Sequence, residues 1–302
     1  MEKRIFGALF NEPPMDTSVR QSQTAWHANL ELGFSKIGQQ RTILSHRKHS
    51  GPLRVQKALW PEATGVCHVI MVHPPAGFAG GDEIGIQVNV ATNSHALITT
   101  PGAGKWYASN GKTAKQVIDL TVDDHAILEW LPQETMLFNQ AIAQSQTTIR
   151  LAGSAAFIGW DILVIGRQTR AERFETGQYQ NQLAIWHDAQ LIFKDQLYFV
   201  GNDRWLLSPL GMNRRAVSGS FYAIPPAQQR SEQQLDALID ILRELMVRMK
   251  VPIGLTRLGY TLVARYLGDD TRHCLDAFAA IRAKCRLEWF ELAEELPRIW
   301  KT

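Results

Sequence analysis

From Trp26 onward, apolar residues recur at every second position in short runs, with no helical pattern between one run and the next. Trp26, Ala28, Leu30, Leu32 and Phe34 point one way, while His27, Asn29, Glu31 and Gly33 point the other, as a half-buried strand requires. The pattern returns in LRVQKALW, VCHVIMVH, IGIQVNVA, HALITT, QVIDLTV and AILEWL, then in TTIRLA, AFIGWDILVI, LAIWHD and LIFKDQLYFV. Gly, Pro, Asn and Asp punctuate these runs. Many short strands without interleaved helices predict an all-β body and argue against a doubly wound α/β enzyme.

Helix comes late. Ser231-Glu-Gln-Gln234 reads as a capping box, and Leu235, Leu238, Ile239, Leu242, Met246 and Met249 then share one helical face. Pro252 and Gly254 are expected to end that helix, and a second is expected over residues 271–290. Between them GLTRLGYTLVARYLG reads as a single strand returning to the sheet. His46, Arg47, Lys48 and His49 read as a solvated basic turn. Residues 1–22 are polar, carry Pro13-Pro14 and read as a loose extension, with one β-rich domain over 23–302.

Composition sets limits. A chain of 302 residues with 45% hydrophobic and 20% charged residues is an ordinary globular protein with a core of useful size. A net charge of +3 lacks the strong basic stripe of a nucleic-acid binder. Three cysteines, Cys67, Cys274 and Cys285, are too few and too dispersed for a disulfide framework or a zinc knuckle, which points to a reducing cytoplasm. The N-terminus lacks the apolar core of a secretory signal, and no apolar run is long enough to span a membrane. Nine tryptophans suggest apolar faces that require a partner.

The densest information lies in VCHVIMVHPPAGFAGGDEIGIQVNVATNSHALITTPGAGKWY, residues 66–107. Glycines at that density permit positive φ and close backbone approach, and so suggest a backbone-built cavity with Asp82 held at it. Gly102-Ala-Gly-Lys105 is not a phosphate loop: Thr99 replaces the first glycine and Trp106 the magnesium-binding hydroxyl. Cys67, His68 and His73 are the closest soft-ligand group. Neighbours 67 and 68 point to opposite strand faces, so a buried cysteine and two hydrogen-bonded imidazoles account for them. No G-x-S-x-G elbow or nucleophile triad is recognisable. Asp123-Asp124 and Asp269-Asp270 read as turn and helix caps. Asp161 within AFIGWDILVI and Asp195 within LIFKDQLYF stand apart, because a carboxylate in an apolar run is costly unless paired or bound to a cation. Each of these, Asp82 included, is either a structural hydrogen-bonded carboxylate or an oxygen ligand. Carboxylates suit a weak, exchangeable hold on a divalent cation, whereas a tight nickel or zinc site needs more imidazole or thiolate.

HPPAGFAGGDEI followed by LITTPGAGKWY resembles the signature of the urease accessory protein family UreD. The likeness extends through Gly51-Pro-Leu-Arg-Val-Gln-Lys57, Trp60-Pro61-Glu62 and Leu128-Glu-Trp-Leu-Pro-Gln-Glu134. It continues in Gly159-Trp160-Asp161, Gly166-Arg167 and Pro297-Arg-Ile-Trp300, covering roughly residues 25–302. The resemblance implies a β-helix-like stack of sheets with two helices near the C-terminus. It implies a scaffold rather than an enzyme, one that docks on apo-urease with UreF and the GTPase UreG and conducts Ni²⁺ toward the urease active site. No tightly bound cofactor is expected, only Ni²⁺ in transit. By the family pattern Asp82, Asp161 and Asp195 are the conduit carboxylates, and Gly80, Gly81, Pro101, Gly102 and Lys105 shape the path. Gly104 departs from the Ser or Thr common before this lysine and removes a polar contact there. The alternatives are a pure adaptor without a metal path and, more remotely, a stand-alone enzyme centred on the glycine-rich stretch.

Overall fold

In the computed structural model, which describes residues 25–38 and 41–301, the alternating runs become strands whose apolar side chains turn inward. Ala28, Leu30, Leu32 and Phe34 are each 1% exposed, as their spacing predicts. Along the first part of the chain lie β1 (His27–Ile37), β2 (Arg41–Ser50), β3 (Arg54–Val55), β4 (Cys67–Val72) and β5 (Gly77–Phe78). There follow β6 (Glu83–Val90), β7 (His95–Thr99), β8 (Gly104–Trp106), β9 (Ala114–Val122) and β10 (Ile127–Leu131). Next come β11 (Thr135–Leu137), β12 (Ile142–Leu151), β13 (Ala156–Ile165), β14 (Gln178–His187) and β15 (Gln190–Val200). The short helix α1 (Arg204–Leu207), β16 (Val217–Ile224), α2 (Glu232–Met249), β17 (Ile253–Leu258), β18 (Thr261–Gly268) and α3 (Thr271–Phe290) complete the order.

Among the described residues the strands form two sheets around one inter-sheet core. The first runs β15-β14-β12-β9-β6-β1-β2. The second runs β17-β18-β16-β13-β10-β7-β4-β3, and β11, β8 and β5 branch from β13. Within the first sheet β1, β6, β9, β12 and β14 are parallel neighbours, and in the second β4, β7, β10 and β13 are parallel too. Parallel neighbours need a long crossover. Here the opposite sheet supplies it, so the chain coils from sheet to sheet as a β-solenoid does.

β13 shows how three layers arise from one period. Phe157, Leu163 and Ile165 face the inter-sheet core, while Ile158, Trp160, Ile162 and Val164 face α2 and α3. A strand buried on both faces reads as a continuous apolar run, which is what AFIGWDILVI is.

The structure corrects several expectations. The segment with His46, Arg47, Lys48 and His49 is strand β2, not a turn; its last residues are exposed because β2 is an edge strand. Basic side chains there discourage edge-to-edge association. β16 is a further strand that the alternation did not reveal. Residues 253–268 form a hairpin of β17 and β18, not one strand, because Gly259 at φ 57° permits the reversal. LRVQKALW supplies only the two-residue β3 and an isolated bridge at Leu59. Ser231 makes no capping bond to the backbone; its hydroxyl donates to Gln233 Oε1 instead. Helix α2 ends with Lys250 in the left-handed region and not at Gly254, which lies within β17. Of the nine tryptophans, Trp106, Trp130, Trp160 and Trp289 are buried in the layers, whereas Trp26 and Trp186 are exposed. The extension expected at 1–22 lies outside the described residues.

Candidate functional site

The two sheets do not meet along their whole length. Between them lies a cavity of about 400 Å³. From the first sheet its wall takes every second residue: Ile84 and Ile86 on β6, Gln116 and Ile118 on β9, Ser145, Thr147 and Ile149 on β12, and Tyr179, Asn181 and Leu183 on β14. The second sheet contributes Trp130, Phe157, Gly159, Asp161 and Tyr222. At one end stand Leu53, Met71, His73, Gly77, Phe78 and the segment 100–106. A second cavity of about 270 Å³ has Asp195, Ser218, Ser220 and Arg265 in its wall. The two share Asp161, Tyr179, Asn181, Leu183 and Tyr222.

Asp161 is therefore where the two cavities adjoin. Its Oδ2 accepts a 2.7 Å bond from Asn181 Nδ2. Burial pushes its carboxyl up to about 6, the Asn181 bond opposes this, and the nearby Asp195 adds to it. Asp195 Oδ2 accepts from the Tyr222 hydroxyl at 2.6 Å and from Arg265 at 2.7 Å. Asp161 and Asp195 are thus brought together.

Asp82 is placed differently. Its side chain does not line either cavity, and its two oxygens accept from backbone N–H groups, Oδ1 from Trp26 at 2.9 Å and Oδ2 from Ala79 at 2.8 Å. It ties the glycine-rich loop to the start of β1. Gly81 sits at φ 97°, and a Cβ on Gly80 would lie 2.5 Å from Ser109 Oγ, so both glycines serve this loop's tight path. Pro101, Gly102 and Lys105 line the larger cavity.

The histidines and cysteines separate cleanly. Cys67 is buried, which pushes its thiol up to about 12, and the described residues contain no cluster of three or more His, Cys, Asp or Glu fit for a metal. His68 Nε2 lies 2.7 Å from Glu62 Oε1. His73 is the exception to the expectation of hydrogen-bonded imidazoles: its buried Nε2 has no partner among the described residues. Burial also lowers its pKa, against the pull of nearby Asp82, and so favours the neutral ring.

A buried ionic network escaped the sequence reading. Glu129, Arg282 and Arg286 are each 0% exposed. Arg282 Nε donates to Glu129 Oε2 at 2.5 Å, Arg286 bonds to both Glu129 and Glu62, and His95 Nε2 lies 2.7 Å from Glu129 Oε1. Burial alone would raise the Glu129 carboxyl, but Arg282 and Arg286 outweigh it and hold it well below the usual range. The network clamps α3 onto the second sheet. Its sequence signal was present in two charged residues of the quoted motifs, Glu62 beside Trp60-Pro61 and Glu129 within LEWLPQE, but their partners lie far along the chain.

These motifs belong to a recognisable family. The model of the UreD urease accessory protein family matches residues 27–301. The chain belongs to the UreD family. The chain is 60% identical over 286 residues to the urease accessory protein UreD of Acinetobacter baumannii, covering 95% of this chain and 98% of that protein. The UreD of Dechloromonas aromatica is 42% identical over 285 residues, covering 94% and 98% respectively. UreD 2 of Psychrobacter cryohalolentis is 37% identical over 327 residues, covering 92% and 99%. UreD membership makes this an accessory protein with a role in urease maturation, not an enzyme. No helix among the described residues is long and apolar enough to cross a membrane.

Proposed function

We propose that this UreD-family chain docks on apo-urease together with UreF and UreG, and conducts Ni²⁺ toward the urease active site through the inter-sheet cavities. Asp161 carries this reading: it is a carboxylate on the inward face of an apolar strand, in the wall common to two cavities, one of which also holds Asp195. Ni²⁺ is the cargo, and oxygen ligands would hold it weakly enough for release. Nucleotide chemistry belongs to the GTPase partner. Three buried, free cysteines suit a reducing cytoplasm.

Replacing Asp161 or Asp195 by Leu is expected to lower the nickel content and activity of urease while pull-down still recovers the accessory assembly. A carboxylate facing a cation in a partly dry passage is worth roughly a few kcal/mol, enough to slow transit strongly. Normal activation in both variants would reject the path. The adaptor reading has one observation in its favour, the structural use of both Asp82 oxygens. Loss of assembly together with activation in the Leu variants would favour it.

A further inference from the structure

Charge is spread unevenly along this chain. No acidic residue lies between Glu31 and Glu62, whereas Lys36, Arg41, Arg47, Lys48, Arg54 and Lys57 all fall in that interval. The remainder of the chain is net negative, although the whole carries +3. All six basic residues are exposed, as are His46 and His49. They surround β2, which ends the first sheet and, among the described residues, pairs with β1 alone. The open part of that edge is short. At its start Thr42 N donates to Gly65 O at 3.0 Å and Thr42 O accepts from Trp60 Nε1 at 2.7 Å, so the 60–65 segment covers it. Over residues 45–50 the described backbone has no strand partner but β1, and alternate N–H and C=O groups there point outward.

Basic side chains flank this edge on both faces. Lys48 and His46 register opposite Glu31 and Gly33 on the outer face, and Arg47 and His49 opposite the buried Leu32 and Leu30. Arg47 and His49 are exposed all the same, so the second sheet stops short of this end of β2. Glu31 is the acid that meets the run, 3.2 Å from Lys48 Nζ and 3.5 Å from His46 Nε2. Arg54 Nη1 donates to Gly51 O and lies 3.1 Å from His49 Nδ1. Arg47 has no hydrogen bond or ion pair among the described residues. A charge or two is enough to guard an edge against another strand. Six cations with no acid among them exceed that need and set the sign of what the edge accepts. They repel a second copy of β2 and attract a carboxylate-rich strand. Because cations stand on both faces, an added strand meets them with odd and even side chains alike, so consecutive acids fit better than alternating ones. Single-stranded nucleic acid calls for aromatic stacking platforms as well, and residues 45–50 include no Phe, Tyr or Trp.

We infer that the 45–50 edge of β2 is a docking strand for a partner protein, which adds to it an extended segment carrying consecutive Asp or Glu residues. The inference is independent of the conduit, since none of these residues lines the two inter-sheet cavities.

The test uses the full-length chain and fluorescein-labelled octaglutamate, with octaglutamine as the uncharged control. Fluorescence anisotropy should show binding of octaglutamate alone, weakening as salt rises. Arg47→Gln combined with Lys48→Gln removes one cation from each face. It should keep the melting temperature and weaken binding about five- to tenfold, the combined effect of two exposed charge pairs. Hydrogen exchange separates strand addition from a diffuse charge effect: saturating octaglutamate should slow alternate amides within residues 45–50. Absence of octaglutamate binding, or unchanged affinity in the double variant, overturns the inference. Binding without slowed amides overturns it as well. So does tighter binding of an oligothymidylate of equal charge, which would make the surface one for nucleic acid.

Discussion

Asp161 holds a charge where an apolar side chain would pack at lower cost. Its carboxyl is pushed up from 3.8 to about 6, so the unfolded chain releases the proton more readily than the folded one. The group therefore opposes folding fully above about pH 6, and the penalty fades as pH falls toward 3.8. Asp161→Asn keeps the shape and an oxygen for Asn181. It should raise the melting temperature at pH 7.5, leave it unchanged near pH 3.5, and still lower urease nickel content. A lower melting temperature at pH 7.5 would make the carboxylate structural. Glu129 behaves in the opposite sense. Its folded pKa lies well below 4.5, so its contribution is present above 4.5 and is lost as pH falls below it. The His95 pKa is also depressed, from 6.5, by burial, so its neutral form adds a loss of the same sign that begins near pH 6.5 on acidification. Glu129→Ala leaves the buried Arg282 guanidinium without a carboxylate and Arg286 with Glu62 alone, and should cost about 3–5 kcal/mol in urea unfolding at pH 7. A loss under about 1 kcal/mol would mean that the arginines find other partners.

The two long helices start differently, and their ends provide a paired test. Asp270 caps α3, its Oδ1 accepting from Arg272 N at 2.8 Å and His273 N at 3.1 Å. Ser231 stands in the corresponding place before α2 but gives its hydroxyl to Gln233. Asp270→Ala should cost about 1 kcal/mol, and Ser231→Ala less than about 0.5 kcal/mol, by urea midpoint. Equal losses would show that Ser231 does cap in solution. The sequence pattern S-x-x-Q marks where the helix begins, since α2 starts at Glu232, but side-chain geometry decides whether the cap bond forms. The bounds of α3 were legible to the residue, 271–290. β16 was not, because VSGSFYAI lies among small residues and is buried on both sides near its end, which blurs a period of two.

At the scale of the whole molecule, the described residues form two sheets with internal space between them. We expect the isolated protein to release neither phosphate from nucleotides nor ammonia from urea. Thr99 and Trp106 break the phosphate-loop pattern, and His68 and His95 are engaged by Glu62 and Glu129. Metal-dependent turnover by contaminant-free protein would overturn the scaffold reading. Much of this was readable along the chain: the strand period, the late helices, the family motifs and the unusual placing of Asp161 depend on neighbours a few residues away. The pairing order, the cavity and the ionic clamp do not. Arg286 lies 157 residues from Glu129 and 224 from Glu62, and Asp82 reaches back 56 residues to Trp26. Local periodicity says which face of a strand is buried, since successive side chains alternate. Which distant group meets that face is decided only when the coils stack, and that stacking engages Asp82 in the loop, sets Asp161 and Asp195 in the wall of one cavity and, among the described residues, leaves His73 Nε2 without a partner.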